Sequence, residues 1–97
     1  MNKAEYLLVC LAEECSEVEK NIAKSLRFGL DNRWPETGPG TNQEKIAAEL
    51  VDVLAIVELL GECGIDIPIN DRFEFARKKA KVNQLMEFSR KSGNLVD

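Results

Sequence analysis

Five acidic side chains in two short clusters are the residues of this chain best suited to do chemistry. Glu13-Glu14-Cys15-Ser16-Glu17 makes an E-E-x-x-E pattern, and Glu49-Leu50-Val51-Asp52 makes an E-x-x-D pattern further along. Residues three apart on a helix have Cβ atoms roughly 5–6 Å apart, so two such pairs on antiparallel neighbours would surround one pocket with Glu14, Glu17, Glu49 and Asp52. Carboxylates held that close repel one another, and a cation among them relieves the repulsion. Oxygen-only ligands suit hard ions, which makes magnesium, or manganese, the expected occupant. Each pattern alone has a plainer reading. E-x-x-E is common on solvated helix faces, and E-x-x-D in an apolar segment equally suits a buried pair with a basic side chain. Histidine is absent, which excludes imidazole acid–base chemistry and imidazole metal ligation.

Three segments can position these groups. Each opens with a short polar residue followed three positions later by Glu, the capping-box pattern: Asn2…Glu5, Thr41…Glu44 and Asp71…Glu74. The first helix is expected over about 3–28, stopped at Gly29, the second over about 42–63, stopped at Gly64, and the third over about 71–90, near Gly93. Between the first two, Gly29 to Gly40 is rich in Gly, Pro and Asn and reads as a loop. Ile65 to Asn70 reads as a short extended connector, because Pro68 forbids helix there. No strand-like alternation persists. The expected architecture is all-α, a small bundle of three main helices forming one domain over 1–97 and completed by oligomerisation.

On the first helix an apolar stripe runs through Leu8, Leu11, Cys15, Val18, Ile22 and Leu26. Glu14 and Glu17 fall on the neighbouring lane with Cys10, Asn21 and Phe28, while Glu13 points further round. The second helix, Leu50 to Leu60, is apolar nearly all round, which predicts a central, buried element with Asp52 inside it. An ionised carboxylate buried alone costs several kcal/mol, so such an Asp52 needs a partner.

Composition narrows the class. The 97 residues are 44% hydrophobic and 31% charged, as expected for a folded, helix-rich chain rather than a disordered one. No apolar run approaches the roughly 20 residues that span a bilayer, and Glu13 and Glu14 interrupt the N-terminal apolar stretch, so the expected location is the cytoplasm. Cys10, Cys15 and Cys63 lack disulfide or zinc spacing and are expected to be small interior residues. The net charge of −4 is uneven: Glu44 to Glu62 holds five acids against one lysine, and Asp71 to Lys91 three acids against seven bases. These segments could attract each other, or bind metal and phosphate respectively. No aromatic platform is interleaved with the bases, so a nucleic-acid polymer is not the expected partner. Trp34, before Pro35, and Phe28 could each stack on a base or anchor the loop. Phe73, Phe75 and Phe88 read as core or subunit contacts.

E-E-x-x-E followed by E-x-x-D on the next helix resembles the MazG-like, all-α nucleoside triphosphate pyrophosphohydrolase superfamily, over roughly Cys10 to Asn83. Lys24-Ser25-Leu26-Arg27-Phe28-Gly29 is similar to a stretch common in its small members. The resemblance implies metal ligation by Glu14, Glu17, Glu49 and Asp52, with Glu13 supporting or orienting water. It also implies that Lys79 and Asn83 help hold nucleotide phosphates, in a K-x-x-x-N pattern; the family often follows that Asn with Arg, where this chain has Gln84. Lys24, Arg27, Lys79 and Lys81 are the bases expected to meet the polyanion, each with a solvated surface role as the plainer alternative. The implied reaction is magnesium-assisted hydrolysis of a nucleoside triphosphate between its α and β phosphates, by a homodimer or homotetramer. Two rival readings compete. One is a non-catalytic helical interaction module, in which Asp52 is matched by a base such as Arg77. The other is a di-iron carboxylate bundle, which wants E-x-x-H pairs that this chain lacks.

Overall fold

A computed structural model describes all residues, Met1–Asp97, and is all-α, with three helices and no strand. Helix α1 spans Lys3–Phe28, α2 Asn42–Glu62 and α3 Arg72–Lys91. No helix is long and apolar enough to cross a membrane. The chain divides into two compact units, Met1–Ile67 and Pro68–Asp97. The first is the α1–α2 hairpin; the second is α3 with the C-terminal tail.

The helix starts follow from their caps. Asn2 and Glu5 close a reciprocal capping box at α1, and Thr41 and Glu44 close another at α2. Hydrogen bonds from the Thr41 backbone and side chain, helped by the Arg33 charge, hold the Glu44 carboxyl below its usual value. The third box is only half made. Asp71 caps α3 by accepting from the Phe73 and Glu74 amides, but Glu74 turns instead to Arg77, 2.6 Å away. Asp71 is thus the cap and not the first helical residue. At the other ends, Gly29 adopts φ +94°, a conformation that costs a residue with a Cβ, and its amide donates to Ser25 O.

The hairpin pairs along a seam with alternating steps of three and four. On α1 the buried or half-buried residues of this seam are Ala4, Leu7, Leu11, Glu14, Val18, Asn21, Ser25 and Phe28. On α2 they are Asn42, Ile46, Glu49, Val53, Ile56 and Leu60, followed by the C-cap Cys63. This seven-residue spacing is what two helices need to keep one narrow stripe in contact. The stripe predicted on α1 is therefore only one-third covered: Leu11 and Val18 lie in the seam, whereas Leu8, Cys15, Ile22 and Leu26 are exposed. The central, buried α2 of the sequence reading is corrected likewise. Leu50, Val51, Leu54 and Leu59 are exposed, and so is Asp52. The reason is geometric, since a hairpin gives each helix one neighbour and leaves the remaining apolar surface uncovered. The cysteines, expected inside, are half-buried at Cys10 and Cys63 and exposed at Cys15.

At the loop end a polar residue does the joining. Asn42 is buried, donates from Nδ2 to Gly29 O at 2.8 Å and accepts from the Trp34 amide at 3.3 Å. Its own amide donates to Asn32 O at 2.7 Å. Replacing Asn42 with Ala leaves Gly29 O and the Trp34 amide without these partners, a loss on the order of 1–3 kcal/mol. Chemical denaturation of Asn42→Ala checks this; a loss below about 0.5 kcal/mol would show that the clip is not a fixed part of the fold.

Candidate metal centre

Glu14 stands in the α1 side of the seam, and Glu49 in the α2 side. Asp52 follows Glu49 by three residues, close to one turn, at the exposed edge of the same helix. The hairpin thereby gathers one carboxylate oxygen from each of Glu14, Glu49 and Asp52 within 4.8 Å of one another. Oxygens on opposite sides of a magnesium or calcium ion, at metal–oxygen distances of about 2.0–2.6 Å, are themselves roughly 4–5 Å apart. The donor set is all oxygen and all anionic, and it fits a hard divalent cation. No ion pair of the protein includes any of these three residues.

The electrostatics of the cluster are visible at Glu14. Its carboxyl is pushed above the usual 4.5 by loss of solvent and by a hydrogen bond with Glu49. The charges of Asp52, Glu49 and Glu17 push the same way. Three acids stand together with no basic partner in an ion pair, and each of the other two opposes ionisation of Glu14.

The other residues singled out in the sequence are distributed differently. Glu17 is half-buried beside the cluster and pairs with Lys20 at 3.5 Å rather than joining the three. That contact is an exposed i,i+3 pair, worth ~0–1 kcal/mol, and it yields readily to a stronger cation. Glu13 is exposed and lies outside the cluster. Lys24 and Arg27 lie ten and thirteen residues beyond Glu14, roughly 15 and 20 Å along the axis. Arg27 sits over the Phe28 ring, 5.1 Å from its centroid. Trp34 belongs to the loop end of the hairpin, against Phe28, with ring centroids 5.2 Å apart. The hairpin thus brings together Glu14, Glu49 and Asp52, and sets Lys24, Arg27 and Trp34 apart from them.

Lys79, Lys81 and Asn83 are on α3, in the second unit. Lys79 and Asn83 are four apart and share a face. The Lys79 ammonium lies 5.7 Å from the centroid of Phe75, whose ring also carries Arg72 at 4.5 Å. Phe73, Phe75 and Phe88, expected as core or subunit contacts, are exposed.

Sequence reasoning passed over Asn42 and Lys45, which hold the loop: Lys45 Nζ donates to Trp34 O at 2.6 Å. The available signal was Asn42 directly after the cap, a polar residue on the lane of Glu49 and Ile56.

A carboxyl whose value is raised on folding keeps a proton that the unfolded chain releases. Between 4.5 and its raised value the folded state binds more protons, so stability falls as pH rises through that interval. In metal-free buffer, Glu14→Gln is expected to remove a destabilising contribution that grows as pH rises above 4.5, and so to melt higher than the parent at pH 7. An unchanged slope in Glu14→Gln would show that the three acids do not interact. Comparison with family models, with curated proteins and with solved structures finds no match to this chain, so the role of this centre is read from its own chemistry.

Proposed function

We propose that this protein is a magnesium-dependent nucleoside triphosphate pyrophosphohydrolase of the kind its acidic motifs resemble, releasing a nucleoside monophosphate and pyrophosphate. The observation that carries the reading is the convergence of Glu14, Glu49 and Asp52 within 4.8 Å, from two helices, without a basic partner.

In this reading Glu14, Glu49 and Asp52 hold the metal, and Glu17 joins them when it leaves Lys20. Magnesium (or manganese) supplies charge neutralisation for phosphate oxygens and acidifies a water. The carboxylates fix the geometry, and a polyanion is excluded from so acidic a seam until their charge is offset. Glu13 orients water, as the resemblance implies. Positioning and electrostatic stabilisation then carry most of the acceleration.

The reading also includes a homodimer or homotetramer. Leu8, Ile22 and Leu26 on α1, and Leu50, Val51 and Leu54 on α2, are 44–85% exposed. That is more apolar surface than a folded monomer ordinarily leaves uncovered, and a second copy of the hairpin is the proposed cover.

A panel of nucleoside and deoxynucleoside triphosphates with magnesium, scored for pyrophosphate, tests the activity. Release is expected from at least one substrate, and chelation is expected to stop it. Glu49→Gln and Asp52→Asn are each expected to lower the rate by at least ~100-fold while leaving helical content unchanged, the scale of losing a centre that stabilises transition-state charge. Variants as fast as the parent would sink the ligand assignment.

A further inference from the structure

A cavity of about 470 Å³ opens at the loop end of the hairpin, lined by Phe28, Asp31, Asn32, Arg33, Trp34 and Glu36. Its size falls in the range of small-molecule sites, roughly 300–1,000 Å³. Phe28 lies fourteen residues beyond Glu14, about 20 Å along α1. That is further than a base stands from the α and β phosphates of its own nucleotide, so the cavity does not serve a nucleotide whose phosphates sit at the carboxylates of the same hairpin.

The walls have a definite chemistry. Phe28 and Trp34 form an aromatic corner, tilted by 33°, and Trp34 remains 49% exposed. Arg27 already lies over the Phe28 ring, so a cation on that ring is provided for and a neutral planar ring against Trp34 is the better complement. Asp31 and Glu36 offer carboxylate oxygens as acceptors, and neither takes part in an ion pair. The Asn32 amide is oriented by its Nδ2 bond to Phe28 O at 2.7 Å, which leaves Oδ1 as a further acceptor. Arg33 is the single strong donor. Acceptors therefore outnumber donors among the lining side chains.

The cavity is also built before any ligand arrives. Asn42 fixes Gly29 O, the Trp34 amide and Asn32 O, the Gln43 amide donates to Leu30 O at 3.0 Å, and Lys45 holds Trp34 O. A loop tied at this many points loses little further entropy on binding.

We infer that this cavity binds a planar nitrogen heterocycle carrying an exocyclic amino group, the class of adenine, cytosine and guanine, by stacking on Trp34 and donating N–H groups to Asp31 and Glu36. The site is separate from the carboxylate centre and stands whether or not that centre hydrolyses nucleotides. Trp34 is the sole tryptophan, so its fluorescence reports this cavity alone.

The test titrates the full chain in chelator, without divalent metal, with adenosine, cytidine and uridine, exciting at the red edge of the indole band. Adenosine or cytidine is expected to quench Trp34 saturably, with uridine at least roughly tenfold weaker, as when charged acceptors lose their donors. The double variant D31N/E36Q, both positions exposed, is expected to weaken that binding by roughly tenfold or more while keeping the parent melting profile. No saturable quenching by either amino-bearing nucleoside would overturn the inference. So would equal affinity for uridine, or a D31N/E36Q variant that binds as the parent does. Because these nucleosides carry no phosphate and no metal is present, failure here is distinct from failure of pyrophosphate release.

Discussion

Carboxylates of Glu14, Glu49 and Asp52 approach within 4.8 Å across the contact between two helices, and much of the hairpin can be understood as what tolerates that approach. Like charges in a partly desolvated seam oppose the pairing of the helices that carry them. Against this stand two long helices with closed capping boxes, apolar seam residues on both sides of the cluster, from Leu7 and Leu60 to Val18 and Ile46, and the Asn42 clip at the loop end. The upward displacement of the Glu14 carboxyl is the residue of that conflict. A divalent cation held by the three carboxylates would remove it, which is how the local electrostatics bear on the proposed chemistry.

The same seam explains which parts of the structure were legible in the sequence. Capping residues and glycines act locally, so the extents of α1 and the starts of α2 and α3 follow from Asn2, Thr41, Asp71 and Gly29 within a residue. That Glu49 and Asp52 stand close together on α2 was legible, because three-residue spacing places them about one turn apart. Which lane meets the partner was not. Counting apolar residues favoured Leu8, Cys15, Ile22 and Leu26, yet the covered lane includes Glu14, Asn21 and Ser25. Hydrophobic periodicity shows that a face seeks cover; it does not distinguish cover within the hairpin from cover by another chain. Asp52 shows the same effect, since an apolar neighbourhood in sequence becomes an exposed edge once α2 has a single neighbour. Glu17 departs for a different reason, as a nearby lysine on the same helix competes for it at short range.

The loop was legible as a loop and no more. Its Gly and Pro content marks an irregular segment, but the cavity within it depends on Asn42 and Lys45, which belong to α2 and reach back to its carbonyls and amides. Polar anchoring of this kind has no periodic signature. It converts a charged, glycine-bounded stretch into a fixed surface at one end of the hairpin, while the acidic seam occupies its middle, and it gives one helical pair two chemically different places.

The most direct measurement of the central claim is paramagnetic broadening of backbone amide resonances by manganese. If the three carboxylates hold a divalent ion, substoichiometric manganese will selectively and saturably broaden the amides around Glu14 and from Glu49 to Val53, with magnesium in excess restoring them. Broadening spread evenly over all the acidic side chains of the surface, or none near Glu14, would contradict a metal centre in this seam.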